Sequence, residues 1–435
     1  MTFCKKRSSD RLRLTSGEGE TVVLNQLKKA GHLSAVLITS TGLVSGCQEI
    51  PSDSGLRVPL SSATQAQGII EGVQAEPGDY GVGSLTVAEL MERFEVPGVS
   101  VAVIDNFNIH WAKGYGISDV ETGMAVDTAT MFQAASISKP VAAMATVRAA
   151  QDGLFSLDDD INDILKSWSL DGGGFTDEQP VTPRGLTSHT SGLGDGFGFP
   201  GYAPGMPLPT TVQIIEGHEL SNVGPVFMER EPLVFYEYSG GGVTLMELAL
   251  SEARGMPFEE LMSTYVLDPI GMSRSSYEQP ISEENDRWAA RAHDVEGQPK
   301  GAKWHVYPEL AAAGLWTTPS DLARFAIDVQ KTVRGGDGAV LNSRLVGEML
   351  RPVGVGPYAV GFSISRMGEG WYFGHGGSNW GFRARLLAHA AKGYGFVIMT
   401  NADSGGGLIE EMSRRIQNAY SWDAVAQGVT RGYSR

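Results

Sequence analysis

Cysteine is scarce in this sequence, and its scarcity excludes two kinds of stabilising site. Only Cys4 and Cys47 occur among 435 residues. Beyond that one pair, the chain can build neither a disulfide scaffold nor a cysteine-based zinc site. With 42% hydrophobic and 19% charged residues, the composition is that of a folded globular protein.

Basic residues are also in deficit. The chain has 34 Lys and Arg against 50 Asp and Glu, which gives a formal net charge of -16. Non-specific binding to nucleic acid requires a basic face, because the phosphate backbone is an anion. We therefore expect no nucleic-acid partner.

Long apolar runs are rare, and the clearest one lies near the N-terminus. The basic pair Lys28 and Lys29 precedes the mostly apolar run 33–43, which is too short to span a bilayer as a mature helix. This order predicts a secretory leader over residues 1–47, followed by a linker over 48–80. The ending Val44–Cys47 resembles a bacterial lipoprotein box. That resemblance implies lipidation of Cys47 and an exported protein, either periplasmic or membrane-anchored; a soluble protein with an incidental apolar segment remains the alternative.

Several common catalytic motifs are missing. No Gly-x-Ser-x-Gly occurs between a strand and a helix, and His218-Glu219 lacks the second histidine of a zinc peptidase. No Walker loop is present, and the glycines of 196–201 surround a proline and follow no predicted strand. These absences exclude an α/β-hydrolase, a zinc metallopeptidase and a nucleotide-binding enzyme. We expect no metal and no cofactor.

Ser136 and Lys139 provide the most informative motif. At this spacing, a hydroxyl and an amine share one face where a helix begins. The helix N-terminus favours an anion forming at Ser136 and the neutral, proton-accepting form of the lysine. In the alternative interpretation, Ser136 is only an N-cap and Lys139 is solvated. The run 141–150 that follows is almost entirely apolar, so the helix should be buried, and a buried lysine requires a reason such as catalysis.

The order of predicted elements indicates the fold class. Strands are predicted near 99–105 and 109–116, and again at 371–375, 382–389 and 393–400. A polar region rich in short helices separates the two groups, and a last helix follows at 408–420. The sequence therefore predicts an α+β fold, in which an antiparallel sheet flanked by helices carries a mostly helical lobe at roughly 140–330. We expect the site in the cleft between the sheet and this lobe.

Two further sequence elements indicate which family the Ser136–Lys139 motif resembles. Tyr238–Gly240 follows Ser136 by about a hundred residues, and His375–Gly377 stands near the C-terminus before two predicted strands. Together with 186–193 and 307–322, these stretches resemble the class C β-lactamase-related serine hydrolases. That family includes penicillin-binding-protein-like esterases, D-aminopeptidases and D-alanyl-D-alanine carboxypeptidases. The resemblance covers roughly residues 85 to 420, within a predicted catalytic domain at 81–425.

The resemblance implies a catalytic role for each motif. Ser136 would attack an acyl carbon and form an acyl-enzyme, while Lys139 takes its proton alone or together with Tyr238. Tyr238 would then pass a proton to the leaving group and help to activate water. The backbone N–H groups of Ser136 and Ser378 would form the oxyanion hole.

The implied substrate contacts come from His375, Gly376, Gly377 and Gly240. Two of them depart from the family pattern. Gly240 stands where many relatives have Asn, and His375 stands where β-lactamases usually have a lysine that binds the substrate carboxylate. A mostly neutral histidine does this less well at pH 7. Both departures favour small acyl esters over β-lactams.

Other functions remain open from the sequence. They are a D-alanyl carboxypeptidase or D-aminopeptidase, a weak β-lactamase, and a non-catalytic penicillin-binding-like sensor. His189 and Ser191 could suggest a second His-Ser pair, but the resemblance makes their segment a structural turn. The expected partner is a small acyl substrate, and the oligomeric state is left open.

Overall fold

The computed structural model describes residues 62–75, 81–194, 198–368 and 370–422. The predicted leader at 1–47, including Cys47, and most of the predicted linker lie outside these ranges. Within the described ranges, every helix is too short or too polar to cross a bilayer.

A mainly antiparallel sheet forms the centre of the molecule. Seven strands pair in the order β3-β2-β1-β9-β8-β7-β6, and two short strands, β4 and β5, pair separately. The strands in the described residues are β1 Gly98–Asp105, β2 Asn108–Asp119, β3 Met124–Ala125, β4 Phe132–Gln133, β5 Trp316–Thr317, β6 Ser363–Met367, β7 Gly370–Asn379, β8 Phe382–His389 and β9 Gly395–Thr400.

The two ends of the described chain meet inside this sheet. β1 pairs with its hairpin partner β2 on one side and with β9 on the other, with Val99 opposite Thr400. This pairing confirms the prediction that the early and late strand groups form one antiparallel sheet around a helical insertion.

Helices cover both faces of the sheet, and most short ones lie between β4 and β6, where the helical lobe was predicted. A 3-10 turn at Ala135–Ile137 precedes α3, and a π-helical turn at Ser263–Leu267 follows α8. The helices are α1 Ala63–Glu71, α2 Val87–Arg93, α3 Ser138–Gln151, α4 Ile161–Ile164, α5 Pro183–Ser188, α6 Thr211–Ile215, α7 Gly240–Arg254, α8 Phe258–Met262, α9 Asp268–Ile270, α10 Glu283–Asp286, α11 Leu310–Ala313, α12 Pro319–Val333, α13 Ser343–Met349 and α14 Gly405–Ala419.

Strand alternation in β1 divides the core into two layers. Val101 and Val103 pack in the cluster that contains α14, whereas Ala102 and Ile104 pack in the larger cluster that contains α3 and α12. α3 is buried along almost its whole length, and its many alanines let neighbouring helices approach closely. Its N-terminal end therefore lies deep in the molecule, between the sheet and the helical lobe.

Part of the predicted linker is folded. α1 buries Ala66 and Ile70 completely against the layer that contains α14. Arg415 of α14 is fully buried and donates hydrogen bonds to the carbonyls of Ile70, Gly72, Val82 and Leu85. The helix α1 therefore lies where a linker over 48–80 was predicted. The buried guanidinium of Arg415 needs these carbonyls to satisfy its donors.

Candidate active site

The serine and lysine of the Ser-x-x-Lys motif lie side by side. Lys139 Nζ is 3.2 Å from Ser136 Oγ. Ser136 lies in the 3-10 turn and is half-buried, while Lys139 is in the first turn of α3 and is only 2% exposed. Ile137, not Ser136, occupies the N-cap position of α3, and it makes no side-chain cap. The alternative of a capping serine beside a solvated lysine therefore does not hold.

A backbone carbonyl holds the amine in place. Lys139 Nζ donates to the carbonyl oxygen of Ala312 at 2.8 Å, and it lies 5.0 Å from the centre of the Tyr238 ring. Ala312 belongs to α11, within the stretch 307–322 that carries part of the family resemblance. Sequence reasoning could not identify this contact, because a carbonyl acceptor leaves no side-chain signature.

The turn that presents Ser136 is itself unusual. Ala135 has a φ of +52°, in the left-handed region that costs energy for a residue with a Cβ. Such conformations persist when the surrounding structure holds them, and they occur frequently at functional sites. Here the neighbouring strand β7 packs closely on the turn.

β7 carries the predicted His375–Ser378 element, and strand alternation separates its residues. A Cβ added to Gly377 would lie 2.2 Å from the carbonyl oxygen of Ala134, whereas one added to Gly376 would meet only an atom at 4.0 Å. Gly377 therefore faces the serine turn and must lack a side chain, while Gly376 faces the opposite side of the sheet.

His375 is nearly buried, and its hydrogen bonds define its tautomer. Its Nδ1 is 2.6 Å from the carbonyl of Gly376, which can only accept, so Nδ1 carries the proton. Nε2 then accepts from the hydroxyl of Tyr358, at 3.3 Å. Burial, with the nearby charge of Lys139, lowers the pKa of His375 to about 3. The ring is therefore neutral at neutral pH.

Tyr238 lies in an irregular segment directly before α7. Ser239 is the N-cap of that helix and accepts from the N–H of Gly242 at 2.7 Å. Gly240 is the first residue of α7 and is buried. The structure thus places the Tyr238 ring beside Lys139, and Gly240 lies two residues after Tyr238 in the chain.

Two aromatic residues that sequence reasoning missed complete the surroundings of Tyr238. Tyr358 stacks on Tyr236 with ring centres 5.4 Å apart, and it lies 6.2 Å from Tyr238. Burial raises the pKa of Tyr236 to about 12, and burial also raises the pKa of Tyr358. Neither residue lies in a stretch with a recognisable motif, so only the fold brings them here.

His189 and Ser191, whose segment the resemblance makes a structural turn, are not arranged as a catalytic pair. His189 is 1% exposed and its ring packs 4.2 Å from that of Tyr238. Its Nδ1 accepts the backbone N–H of Ser239 rather than a serine hydroxyl. Ser191 is buried in the same turn.

A groove of about 1090 Å³ opens over these residues. β6 pairs with β7 only from Gly370 to Gly374, so among the described residues the stretch from His375 onward has β8 on one side and the groove on the other. The groove walls include candidate site residues from four parts of the chain, namely Ser136, Tyr238, Tyr358, His375, Gly376, Gly377 and Ser378. In the part of the chain described, no three His, Cys, Asp or Glu residues are grouped as a metal site.

Comparison with known proteins gives this arrangement a family. The family model described as Beta-lactamase matches residues 85–421. The chain is 23% identical to "Protein flp" of Staphylococcus aureus (strain N315) over 357 residues, which is 77% of this chain and 66% of that relative's length.

Solved structures share the fold. The octameric penicillin-binding protein homologue from Pyrococcus abyssi is 24% identical, with a TM-score of 0.59 over 73% of this chain and 72% of that chain. The D-alanine carboxypeptidase AmpC from Burkholderia cenocepacia is 18% identical, with a TM-score of 0.60 over 77% and 96%. With most of its described residues matched by the family model, this chain belongs to the Beta-lactamase family of penicillin-binding-protein-like serine hydrolases.

Proposed function

We propose that this protein hydrolyses small acyl esters through an acyl-enzyme on Ser136. The observation that carries the proposal is the 3.2 Å approach of the buried Lys139 amine to the Ser136 hydroxyl at the wall of a large groove. A nucleophile and its base within hydrogen-bond reach is the arrangement that covalent catalysis requires.

The groups around Ser136 have complementary roles in this scheme. The Ser136 oxygen attacks the acyl carbon, and its proton passes to the Lys139 amine, directly or through Tyr238. The backbone N–H groups of Ser136 and Ser378 hold the negative oxygen of the tetrahedral intermediate. The ester C–O bond then breaks, Tyr238 delivers the proton to the departing alcohol, and water hydrolyses the acyl-enzyme by the same route.

The preference for esters rests on two residues of the site, His375 and Gly240. His375 is neutral because of its burial, so it offers no cation to a substrate carboxylate. Gly240 offers no side-chain amide to orient a substrate amide. A neutral acyl ester needs neither contact, whereas a β-lactam or a peptide carboxylate benefits from both.

The proposal is tested by comparing wild type with Ser136→Ala on two substrates. They are a short p-nitrophenyl ester and a chromogenic cephalosporin. We expect ester turnover to fall on the order of 10⁴-fold or more in Ser136→Ala, as for other lost nucleophiles. Ser191→Ala, which removes a buried hydroxyl outside the groove, is the matched control and should keep its activity. Ester turnover that survives Ser136→Ala refutes the nucleophile, and fast cephalosporin turnover refutes the ester preference.

A D-alanyl carboxypeptidase or D-aminopeptidase is the second candidate. The edge of β7 from His375 onward faces the groove, and its backbone groups could pair with an extended peptide-like substrate. The likeness of the fold to a D-alanine carboxypeptidase supports the same candidate. Release of D-Ala from a muropeptide mimic at a rate above ester hydrolysis, and dependent on Ser136, would favour it over the esterase.

A further inference from the structure

Tyr238 stands on a segment with no regular structure of its own. Residues 231–239 contain no helix or strand in the described structure, and α7 begins only at Gly240. A side chain that must present its hydroxyl to a reacting group within a few tenths of an ångström needs a rigid support. The local sequence does not supply that support, so it must come from elsewhere in the fold.

His189, almost fifty residues earlier, binds the backbone of the residue on either side of Tyr238. Its carbonyl oxygen accepts the N–H of Glu237 at 2.9 Å, and its ring Nδ1 accepts the N–H of Ser239 at 3.2 Å. One residue therefore fixes the backbone directly before and directly after Tyr238.

The backbone of His189 makes this double contact possible. It is the C-cap of α5 and has φ +60° and ψ +35°, the left-handed conformation that ends a helix. Histidine adopts this region more readily than most residues with a Cβ, although at some cost. This strained conformation brings the carbonyl and the ring to the same neighbouring segment.

The ring of His189 also packs on the tyrosine itself. The two ring centres are 4.2 Å apart with an interplanar angle of 35°, and the ring of Tyr358 meets His189 edge-on at 4.9 Å. The amine of Lys139 lies 5.0 Å from the centre of the Tyr238 ring. The position of the Tyr238 ring is thus set by the histidine and the lysine together.

The hydrogen bond to Ser239 fixes the tautomer of His189. A nitrogen that accepts an N–H carries no proton, so the neutral ring carries its proton on Nε2. Nε2 is buried and has no hydrogen-bond partner among the described residues. Burial, the charge of Lys139 and the neighbouring His375 lower the pKa of His189 well below its usual value, so the acceptor is kept at neutral pH.

We propose that His189 is a positioning residue for Tyr238: through its carbonyl and its Nδ1 it holds the backbone N–H groups of the residues on either side of the tyrosine, and through its ring it packs on the tyrosine ring. The inference rests on the proposed function, in which Tyr238 moves protons. His189 acts without touching the substrate, and its effect on turnover passes entirely through Tyr238.

Three variants of the full-length protein separate these contacts. His189→Phe keeps a ring against Tyr238 and removes the acceptor. His189→Asn removes the ring but keeps an acceptor, because the amide oxygen of asparagine is bonded to Cγ as Nδ1 is in histidine. Asparagine also tolerates the left-handed conformation. His189→Gln carries the same amide one methylene further out, where it no longer matches the Ser239 N–H. Ser191→Ala is the control for a change elsewhere in the same turn.

We expect His189→Phe to lower kcat for a p-nitrophenyl ester by about 10- to 100-fold with little change in KM, since a small displacement of a catalytic group has an effect of this size. His189→Asn should recover part of that loss, because it restores the acceptor but not the ring, and His189→Gln should recover none. In a Tyr238→Phe background, His189→Phe should cause no further loss, because two changes that act through one group are not additive.

Several results would overturn the inference. They are a wild-type kcat in folded His189→Phe, equal losses in the Asn and Gln variants, or losses that multiply in the double variant. If His189→Phe does not fold, the Asn and Gln pair makes the same comparison. Failure of the proposed function has a different signature, because Ser136→Ala or Tyr238→Phe alone would then keep wild-type turnover.

Discussion

Lys139 and Tyr238 enter the site from two different kinds of backbone. Lys139 belongs to the first turn of α3, three residues after Ser136, and the helix itself sets the distance between amine and hydroxyl. Tyr238 belongs to an irregular segment about a hundred residues later, and its backbone is fixed by hydrogen bonds to His189. One partner is positioned by local geometry, and the other by a tertiary contact.

The lysine side and the tyrosine side of the site therefore depend on different parts of the fold. The lysine side depends on the burial of α3 and on the carbonyl of Ala312 in α11. The tyrosine side depends on a strained residue at the end of α5. Substitutions on the two sides should therefore affect activity in different ways.

Removing the amine tests the helical side most directly. Lys139→Met keeps a long side chain in the buried position and deletes the base, so we expect ester kcat/KM to fall about 10³-fold, in the range that general-base catalysis provides. Steady-state kinetics measure the loss. Lys113→Met removes an exposed amine paired with Glu71 and should behave as wild type. Equal activity in both variants would show that Lys139 is not the base.

Removing one hydroxyl tests the tyrosine side. Tyr238→Phe keeps the ring between His189 and Lys139, so we expect a loss of about 10²-fold in kcat from the missing proton relay. Tyr236→Phe is the matched control, because that ring belongs to the same aromatic cluster and stacks on Tyr358. A comparable loss in both variants would indicate a packing effect of the aromatic cluster rather than a relay.

Adding one methyl group tests how β7 supports the serine turn. In Gly377→Ala the new Cβ would lie 2.2 Å from the carbonyl of Ala134, so strand or turn must shift, and we expect ester turnover to fall about tenfold. Gly347→Ala, in α13 and outside the groove, adds the same methyl group to open space and should leave the rate unchanged. If the two variants behave alike, the close approach of β7 is unimportant for catalysis.

The stability of the lysine side should depend on pH. Glu309, next to α11, is fully buried, and burial raises its pKa to about 8. The folded state therefore binds this proton more tightly than the unfolded chain does. Its stabilising contribution is complete below about pH 4.5 and is lost as pH rises towards about 8.

Glu309→Gln should flatten this dependence. We expect the Tm of the variant to fall less than that of wild type between pH 5 and pH 8, because the amide has no proton to lose. Differential scanning calorimetry at the two pH values measures the change. Glu284→Gln, at an exposed ion pair with Arg287, is the control and should follow wild type. Parallel pH slopes for wild type and Glu309→Gln would contradict the assignment.

Much of the sheet could be predicted because its signals are local. The apolar run at 99–105 and its partner at 109–116 became β1 and β2, and the late strands and the final helix were found within a few residues of their bounds. The helical spacing of Ser136 and Lys139 could be predicted from the sequence in the same way. α1 was missed because a short helix in a polar segment has a weak periodic signal and is stabilised here by carbonyl contacts to Arg415.

The chain sequence set the identities and local spacings of the reactive groups: a serine and a lysine on one helix face, a tyrosine before a glycine-rich helix start, and a His-Gly-Gly stretch ending in Ser378. Packing decided which of them meet. His189, Tyr358 and the carbonyl of Ala312 joined the site because burial of α3 and pairing of the sheet drew segments more than fifty residues apart into contact. Local periodicity can be recognised from neighbouring residues, whereas contacts between distant segments follow from the burial of the whole core.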